Sequence, residues 1–265
     1  MQSAMRNDEL LAEFEAAALE AGRAILGFFQ QNPAVNEKAD HSPVTEADER
    51  AERIILQHLT KIAPDIPLIA EEQVARGDVP TIGDRFILVD ALDGTREFIA
   101  QRPEFTVNIA LIDEGAPVLG IVYAPAQAIA YCGSSAGAWK LRIGADFTVT
   151  ERSRIFVRKA PPVPLALASR SHGTSQTQEY LQRHGLTEIR RLGSSLKFGL
   201  LAEGVADLYP RFGRTMEWDT AAGDAVLRAA GGRTETLDGA PLAYGKTARG
   251  DQPNFVNPDF IASGG

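Results

Sequence analysis

The stretch Phe86-Ile87-Leu88-Val89-Asp90-Ala91-Leu92-Asp93-Gly94-Thr95 constrains this chain more than any other. Four apolar residues in a row, without polar alternation, predict a strand buried on both faces, the kind that lies in a sheet covered by helices on each side. The strand then ends in two aspartates. Carboxylates at the rim of a core repel one another and resist desolvation. Either a cation neutralises them, or each is an ordinary turn or cap residue, and Asp before Gly-Thr is common turn chemistry. Two more acids sit in the same kind of place: Glu71, after Leu68-Ile69-Ala70, and Asp219, in Glu217-Trp218-Asp219-Thr220. Four acids at ends of elements suit a divalent ion. Hard oxygen donors select Mg²⁺ or Mn²⁺ over zinc, and His41, His58, His172 and His184 show no paired zinc-ligand spacing. Gly94 and Thr95 lead into a short predicted helix whose first N–H groups would cradle an anion, so the pattern points to phosphate chemistry.

The formal net charge of −8, with no block of Lys or Arg, argues against nucleic acid as the partner. It leaves anionic small molecules open, because a bound cation or a local basic pocket reverses the field inside a cleft. The single cysteine, Cys132, lies in a strand-like apolar context and reads as a packing residue in a reducing compartment. The first residues are acidic and lack an apolar signal core, and no run approaches the ~20 apolar residues of a membrane span. The expectation is a soluble, cytoplasmic protein with no integral membrane segment.

Helical spacing of Leu10, Leu11, Phe14, Leu19, Ile25, Leu26 and Phe29 predicts a helix over 8–31, ending before Pro33. A second helix is expected from about Thr45 to Ile62, capped by Ser42 or Thr45. Strands are expected at 66–70 and 85–90, followed over 105–141 by a run of short β segments typical of an antiparallel meander. Arg158-Lys159-Ala160-Pro161-Pro162-Val163-Pro164 is the candidate linker, dividing the chain into 1–157 and 158–265. Beyond it, strands at Leu165–Ser169, Glu188–Leu192 and Ala206–Tyr209 alternate with helices near 175–184, 195–203 and 217–230. Such alternation predicts a mixed, mostly parallel sheet covered by helices.

In order and spacing, Ser42-Pro43-Val44-Thr45-Glu46-Ala47-Asp48, Ala70-Glu71-Glu72, Asp90-Ala91-Leu92-Asp93-Gly94-Thr95 and Trp218-Asp219-Thr220-Ala221-Ala222-Gly223 resemble the signature segments of the inositol-monophosphatase-like, lithium-sensitive, magnesium-dependent phosphatases. The resemblance runs from the second helix to the last long one. It implies a layered αβαβα sandwich of the inositol-monophosphatase and fructose-1,6-bisphosphatase type, an α+β and α/β fold with an antiparallel sheet first and the mixed sheet second. The first half would carry most metal ligands and the second would complete the site. It further implies two or three Mg²⁺ ions, replaceable by Mn²⁺, with inhibition by Li⁺. Glu71, Asp90 and the carbonyl of Leu92 would hold the first ion, Asp90, Asp93 and Asp219 the second, and Glu71 a third, weaker one. Gly94 and Thr95 would contact the scissile phosphate. Thr95 and Asp48 match the family's water-activating pair, with Glu71 contributing to the same step. The chain departs from the family at Ala91, where Pro is usual; losing that fixed φ implies a looser loop, while every liganding acid is kept.

Within the superfamily, Asp93–Ile112, Ser169-Arg170-Ser171-His172, Gly193–Phe198 and the segments around Arg211 and Asp219 look like the bacterial 3′(2′),5′-bisphosphate nucleotidases, the CysQ branch. His172, Ser194, Lys197 and Arg211 match positions that bind nucleotide in related enzymes; the alternative is that Lys197 and Arg211 are solvated helix-end and turn residues and His172 a surface histidine. Trp218 and Phe198 read as core rather than as base-stacking surfaces. The resemblance thus implies removal of the 3′-phosphate from 3′-phosphoadenosine 5′-phosphate, giving AMP and phosphate, by a monomer or homodimer acting on a small phosphorylated nucleotide. It also brings in peripheral attachment at the inner membrane, for which this chain carries no signal. Two other readings stand beside it: an inositol or sugar phosphatase with the same metal site, and a non-catalytic metal- or nucleotide-binding regulator.

Overall fold

The computed structural model describes residues 6–29, 31, 35–37, 43–246 and 254–265. Helix α1 (Asn7–Phe29) buries Leu10, Phe14, Ala17, Ala21 and Ile25 along one side, the three- and four-residue spacing of an amphipathic helix. A ribbon of β1 (Val35–Glu37) and β2 (Pro43–Thr45) precedes α2 (Glu46–Ile62). Thr45 caps α2: its hydroxyl accepts the Ala47 N–H at 3.2 Å, while Asp48 accepts the Thr45 N–H at 2.8 Å. The other candidate cap, Ser42, lies outside the described residues, as do Pro33 and His41.

Strands β3 (Leu68–Ala70), β4 (Arg85–Asp93), β5 (Thr106–Asp113), β6 (Ala116–Ala124), β7 (Ile129–Ser134), β8 (Gly137–Ile143) and β9 (Val149–Ile155) form a seven-stranded sheet in chain order. Only β3 and β4 run parallel; the other pairings make the expected antiparallel meander. The apolar run of β4 is explained by two cores. Ile87 and Val89 join the cluster under α1 and α2, and Phe86 and Leu88 join a second cluster on the opposite face. Two helices of five residues, α3 (Glu71–Ala75) and α4 (Thr95–Ile99), follow β3 and β4 directly.

The second half contains β10 (Leu165–Ser169), α5 (Ser175–Arg183), β11 (Glu188–Leu192), α6 (Leu196–Ala202), β12 (Leu208–Arg211), α7 (Glu217–Ala229), β13 (Arg233–Thr236) and β14 (Phe260–Ser263). The sheet order is β11-β10-β12-β14-β13. β10 pairs parallel with β11 and β12, and β14 pairs antiparallel with β12 and β13, so four strands share one direction and β14 opposes them. Helices α6 and α7 fill the space between the sheets. Phe198 of α6 packs on Tyr209 and Phe260 of the five-stranded sheet, with ring centroids 5.7 and 6.1 Å apart. On the other side α7 lies so close to β6 and β7 that a Cβ at Gly120 would sit 2.4 Å from the Ala222 carbonyl, and one at Gly133 would sit 2.7 Å from the Val226 Cα. With α5 against β12, the layers read αβαβα. Residues 156–164 join the sheets without helix or strand. No helix among the described residues is long and apolar enough to cross a membrane.

Candidate active site

The acids converge because each sits where an element begins or ends at the junction of the sheets. Glu71 opens α3 straight after β3, Asp90 and Asp93 close β4 across a register shift, and Asp219 stands in the first turn of α7. Carboxylate oxygens of Glu71, Asp90 and Asp219 lie within 4.8 Å of one another. Asp93 lines the same cleft beside them, with Oδ2 accepting the Ser195 N–H and, at 3.5 Å, the Thr106 hydroxyl. Two of the acids hold their protons unusually firmly. Burial first, then Asp93 and Glu71, push Asp219 well above the carboxylate range. Burial likewise lifts Asp93 to about 6, with Glu71 and Glu97 adding to it and Lys197 and the Ser195 N–H opposing. A dense set of hard oxygens whose mutual repulsion a cation would relieve fits a divalent ion.

Beside this set, β4 turns into α4 through Gly94, at φ +93°, a conformation that disfavours any side chain. A Cβ there would also crowd the Glu104 carbonyl at 3.1 Å. The Thr95 hydroxyl lies 2.9 Å from Asp48 Oδ1 and 3.2 Å from the Leu92 carbonyl. Asp48 is 3 % exposed, and its Oδ2 accepts both the N–H and the hydroxyl of Thr45, at 2.8 and 2.7 Å. Burial raises its pKa, Thr45 and Thr95 counter this, and Glu71 adds to it. The capping box of α2 is therefore also what orients Thr95.

Buried cations line the same cleft. Lys197, 3 % exposed, donates to the Ser194 carbonyl and lies 5.0 Å over the Tyr209 ring. Burial lowers it to about 8, against the pull of Asp93. Arg211 donates to the carbonyls of His172 and Arg214, each at 3.0 Å, and its buried Nε has no partner among the described residues. Leu92, Asp93, Gly94, Thr95, His172, Ser194, Lys197, Arg211 and Asp219 all border one cleft of about 430 Å³. The solvated-surface alternative for Lys197 and Arg211 fails on their burial. Trp218 and Phe198 are 5 % and 1 % exposed, so both are core residues as expected.

Sequence reading missed the polar strip behind Asp93. Ser195 Oγ lies 2.7 Å from Thr106 Oγ1 and donates to Asn108 Oδ1 at 2.6 Å. The signal was present, since Thr106 and Asn108 are polar in an otherwise apolar strand. It also missed Glu52, four residues beyond Asp48, which accepts the Glu72 N–H at 2.7 Å and so caps α3.

A layered αβαβα sandwich with carboxylates gathered at the sheet junction, beside buried cations in one cleft, defines a class of metal-dependent phosphatases. The chain belongs to the inositol monophosphatase family, whose model matches residues 6–257. It is 47 % identical over 248 residues to the 3′(2′),5′-bisphosphate nucleotidase CysQ of Shigella flexneri, covering 93 % of this chain and 96 % of that one. Identity to the CysQ of Escherichia coli K12 is 46 % with the same coverage. Among solved structures, CysQ from Bacteroides thetaiotaomicron superposes with a TM-score of 0.76 at 37 % identity, over 96 % of this chain and 97 % of the other. An inositol monophosphatase from Zymomonas mobilis gives 0.75 at 26 %, over 99 % and 94 %.

Proposed function

We propose that the protein is a 3′(2′),5′-bisphosphate nucleotidase that hydrolyses the 3′-phosphate of adenosine 3′,5′-bisphosphate to give AMP and phosphate. The carrying observation is that Lys197 and Arg211, both buried, line the same cleft as the acidic cluster. A simple monoester gives this pair of buried cations no anionic group of its own to bind, whereas a second phosphate repays their desolvation with charge-assisted hydrogen bonds. The names of the similar relatives support the same reading.

Glu71, Asp90, Asp93, Asp219 and the Leu92 carbonyl would hold Mg²⁺, two or three ions with Mn²⁺ as a substitute and Li⁺ as an inhibitor. When bound, the metal supplies Lewis acidity that lowers the pKa of a water and neutralises charge on the phosphate and the departing ribose oxygen. The residues do the rest. The Thr95 hydroxyl donates its hydrogen bond to Asp48, which leaves a lone pair of the Thr95 oxygen for the attacking water. As that water attacks, its proton passes to Thr95 while the Thr95 proton passes to Asp48, leaving a neutral hydroxyl and a protonated carboxyl. Glu71 borders the same position and assists. The N–H groups of Gly94 and Thr95 hold the oxygens of the transferred phosphate. Lys197, Arg211, Ser194 and His172 hold the second phosphate and the nucleoside. Among the described residues no histidine, cysteine or serine is set up as a nucleophile, which supports direct attack by water. We further propose that the chain divides at 157/158, works as a monomer or homodimer, and acts in the cytoplasm.

The test is a phosphate-release panel with adenosine 3′,5′-bisphosphate and inositol 1-phosphate, with and without EDTA. Expected are preference for the bisphosphate, loss of turnover in EDTA, and for Lys197→Ala a KM raised more for the bisphosphate than for a monophosphate. Faster hydrolysis of inositol phosphate would overturn the substrate reading, EDTA-insensitive release the metal dependence, and no release with either substrate the catalytic reading.

A further inference from the structure

The loop Ser169–His172 carries His172 into the cleft, and each of its four residues is tied down. Ser169 Oγ accepts the His172 N–H at 3.1 Å, closing the turn. The His172 carbonyl accepts from Arg211 at 3.0 Å. The remaining two ties cross to the other half of the molecule. Arg170 donates to Glu104 Oε1 at 2.8 Å, and the Ser171 hydroxyl donates to Glu97 Oε1 in a short hydrogen bond. Glu97 is 2 % exposed and is the third residue of α4, the single helical turn that begins with Thr95. Next to it, Gly193 packs so tightly that a Cβ would lie 2.5 Å from the Glu97 Cγ, so the carboxylate is held from both sides.

A carboxylate buried that deeply is costly unless a specific bond requires it, and an apolar residue would stabilise the fold as well or better. What its acceptor oxygen does, and an apolar residue could not, is join the turn bearing Thr95 to the loop bearing His172. We infer that Glu97 and Ser171, reinforced by Glu104 and Arg170, are positioning residues that set the span between the hydrolytic centre and the His172–Arg211 wall. That span selects phosphomonoesters carrying a second phosphate at fixed separation. The inference rests on the bisphosphate reading above, because a ruler matters only to a substrate with two ends. It differs from that reading in naming residues that act by positioning: Glu97 borders the cleft, but its carboxylate is taken up by Ser171. The Ser171–Glu97 bond ties the loop directly to the turn bearing Thr95, so its loss frees the loop on that side while the ties to Arg211 and Glu104 remain, and misplacement of a binding group shows first in KM.

Steady-state kinetics with adenosine 3′,5′-bisphosphate and 3′-AMP, the same ester without the second phosphate, test this. Ser171→Ala should raise KM for the bisphosphate about tenfold with kcat within about twofold, and leave both constants for 3′-AMP within about twofold. Ser171→Thr restores a hydroxyl and should return KM to the wild-type value. Glu97→Gln keeps an acceptor oxygen and should stay close to wild type, whereas Glu97→Ala should behave as Ser171→Ala. General destabilisation lowers the active fraction for both substrates alike, so it cannot mimic a split between them. Equal changes for both substrates, or none, would overturn the inference. A wild-type enzyme with no preference for the bisphosphate over 3′-AMP would overturn the functional reading itself, and is distinguishable because it shows before any substitution is made.

Discussion

His172 stands at the rim of the cleft with part of its surface exposed, yet desolvation of its ring, followed by the charges of Arg211, Arg96 and Lys197, pushes the imidazole down to about 4. At neutral pH it is therefore a hydrogen-bonding group without charge, and Lys197 and Arg211 carry the positive field. The sign follows from the lowered value. Between the unfolded pKa near ~6.5 and about 4, an unfolded chain takes up a proton that the folded one refuses, so His172 costs stability as pH falls through that window. The expected NMR result is a His172 ring signal that stays fixed from about pH 8 to 5.5 and moves near 4. A midpoint above 6 would mean that the ring is neither desolvated nor reached by the cations. The motif Ser-Arg-Ser-His marked this residue in the sequence, but its charge state was hidden because the three cations come from distant positions. Cys132 was simpler. It is fully buried, and burial, then Glu15, pushes the thiol up to about 12, which suits the packing role read from its neighbours.

Elements were legible where one face of a pattern carries the information. α2 begins at its Thr45 cap and ends at Ile62 because both the capping chemistry and the buried stripe are local. β9 and β13 left weaker traces: they are sheet-edge strands with sequences such as Thr-Glu-Arg-Ser-Arg and Arg-Thr-Glu-Thr, whose charged residues blunt an edge and resemble a loop. What fixes the link between the sheets was equally unreadable. Asp207, just before β12, accepts from Arg158 Nε and Nη2 at 2.8 and 2.9 Å and from the Leu165 N–H at 2.7 Å. Burial raises its pKa, but these bonds outweigh it and leave the group below the ordinary value. A lowered carboxylate stabilises the fold above its unfolded pKa, near ~3.9, and that contribution fades as pH falls through the folded value. Asp207→Asn is expected to cost about 2 kcal/mol at pH 7, the scale of a hydrogen bond to a charged group, with the gap to wild type closing in acid. Urea melts at about pH 7 and 3.5 measure it; a gap that widens in acid would reverse the assigned direction.

Over the whole molecule, the site depends on α7 being held in one register between two sheets. No window of sequence contains that arrangement. The motifs announced which acids matter, but whether Asp219 reaches Glu71 and Asp90 is decided by a helix packed against strands a hundred residues earlier. The sequence trace of that packing is two glycines in otherwise apolar strands, Gly120 and Gly133, whose missing side chains admit the α7 backbone. At Gly120 an added Cβ would meet the Ala222 carbonyl at 2.4 Å and the Ala225 Cβ at 2.8 Å. Neither atom can rotate away, so the helix itself must move. Gly120→Ala is therefore expected to lose about 1–3 kcal/mol in denaturant melts, as overpacking does. Because α7 carries Asp219 in its first turn, Mn²⁺ affinity measured by calorimetry should fall with it. Gly27→Ala in α1 is the control: its Cβ would meet nothing within 4 Å, and alanine is the better helix former, so stability should hold or rise and Mn²⁺ affinity should stay unchanged. If Gly120→Ala matched that control in both measurements, α7 would have slack against the sheet, and the convergence of the acids would need another cause.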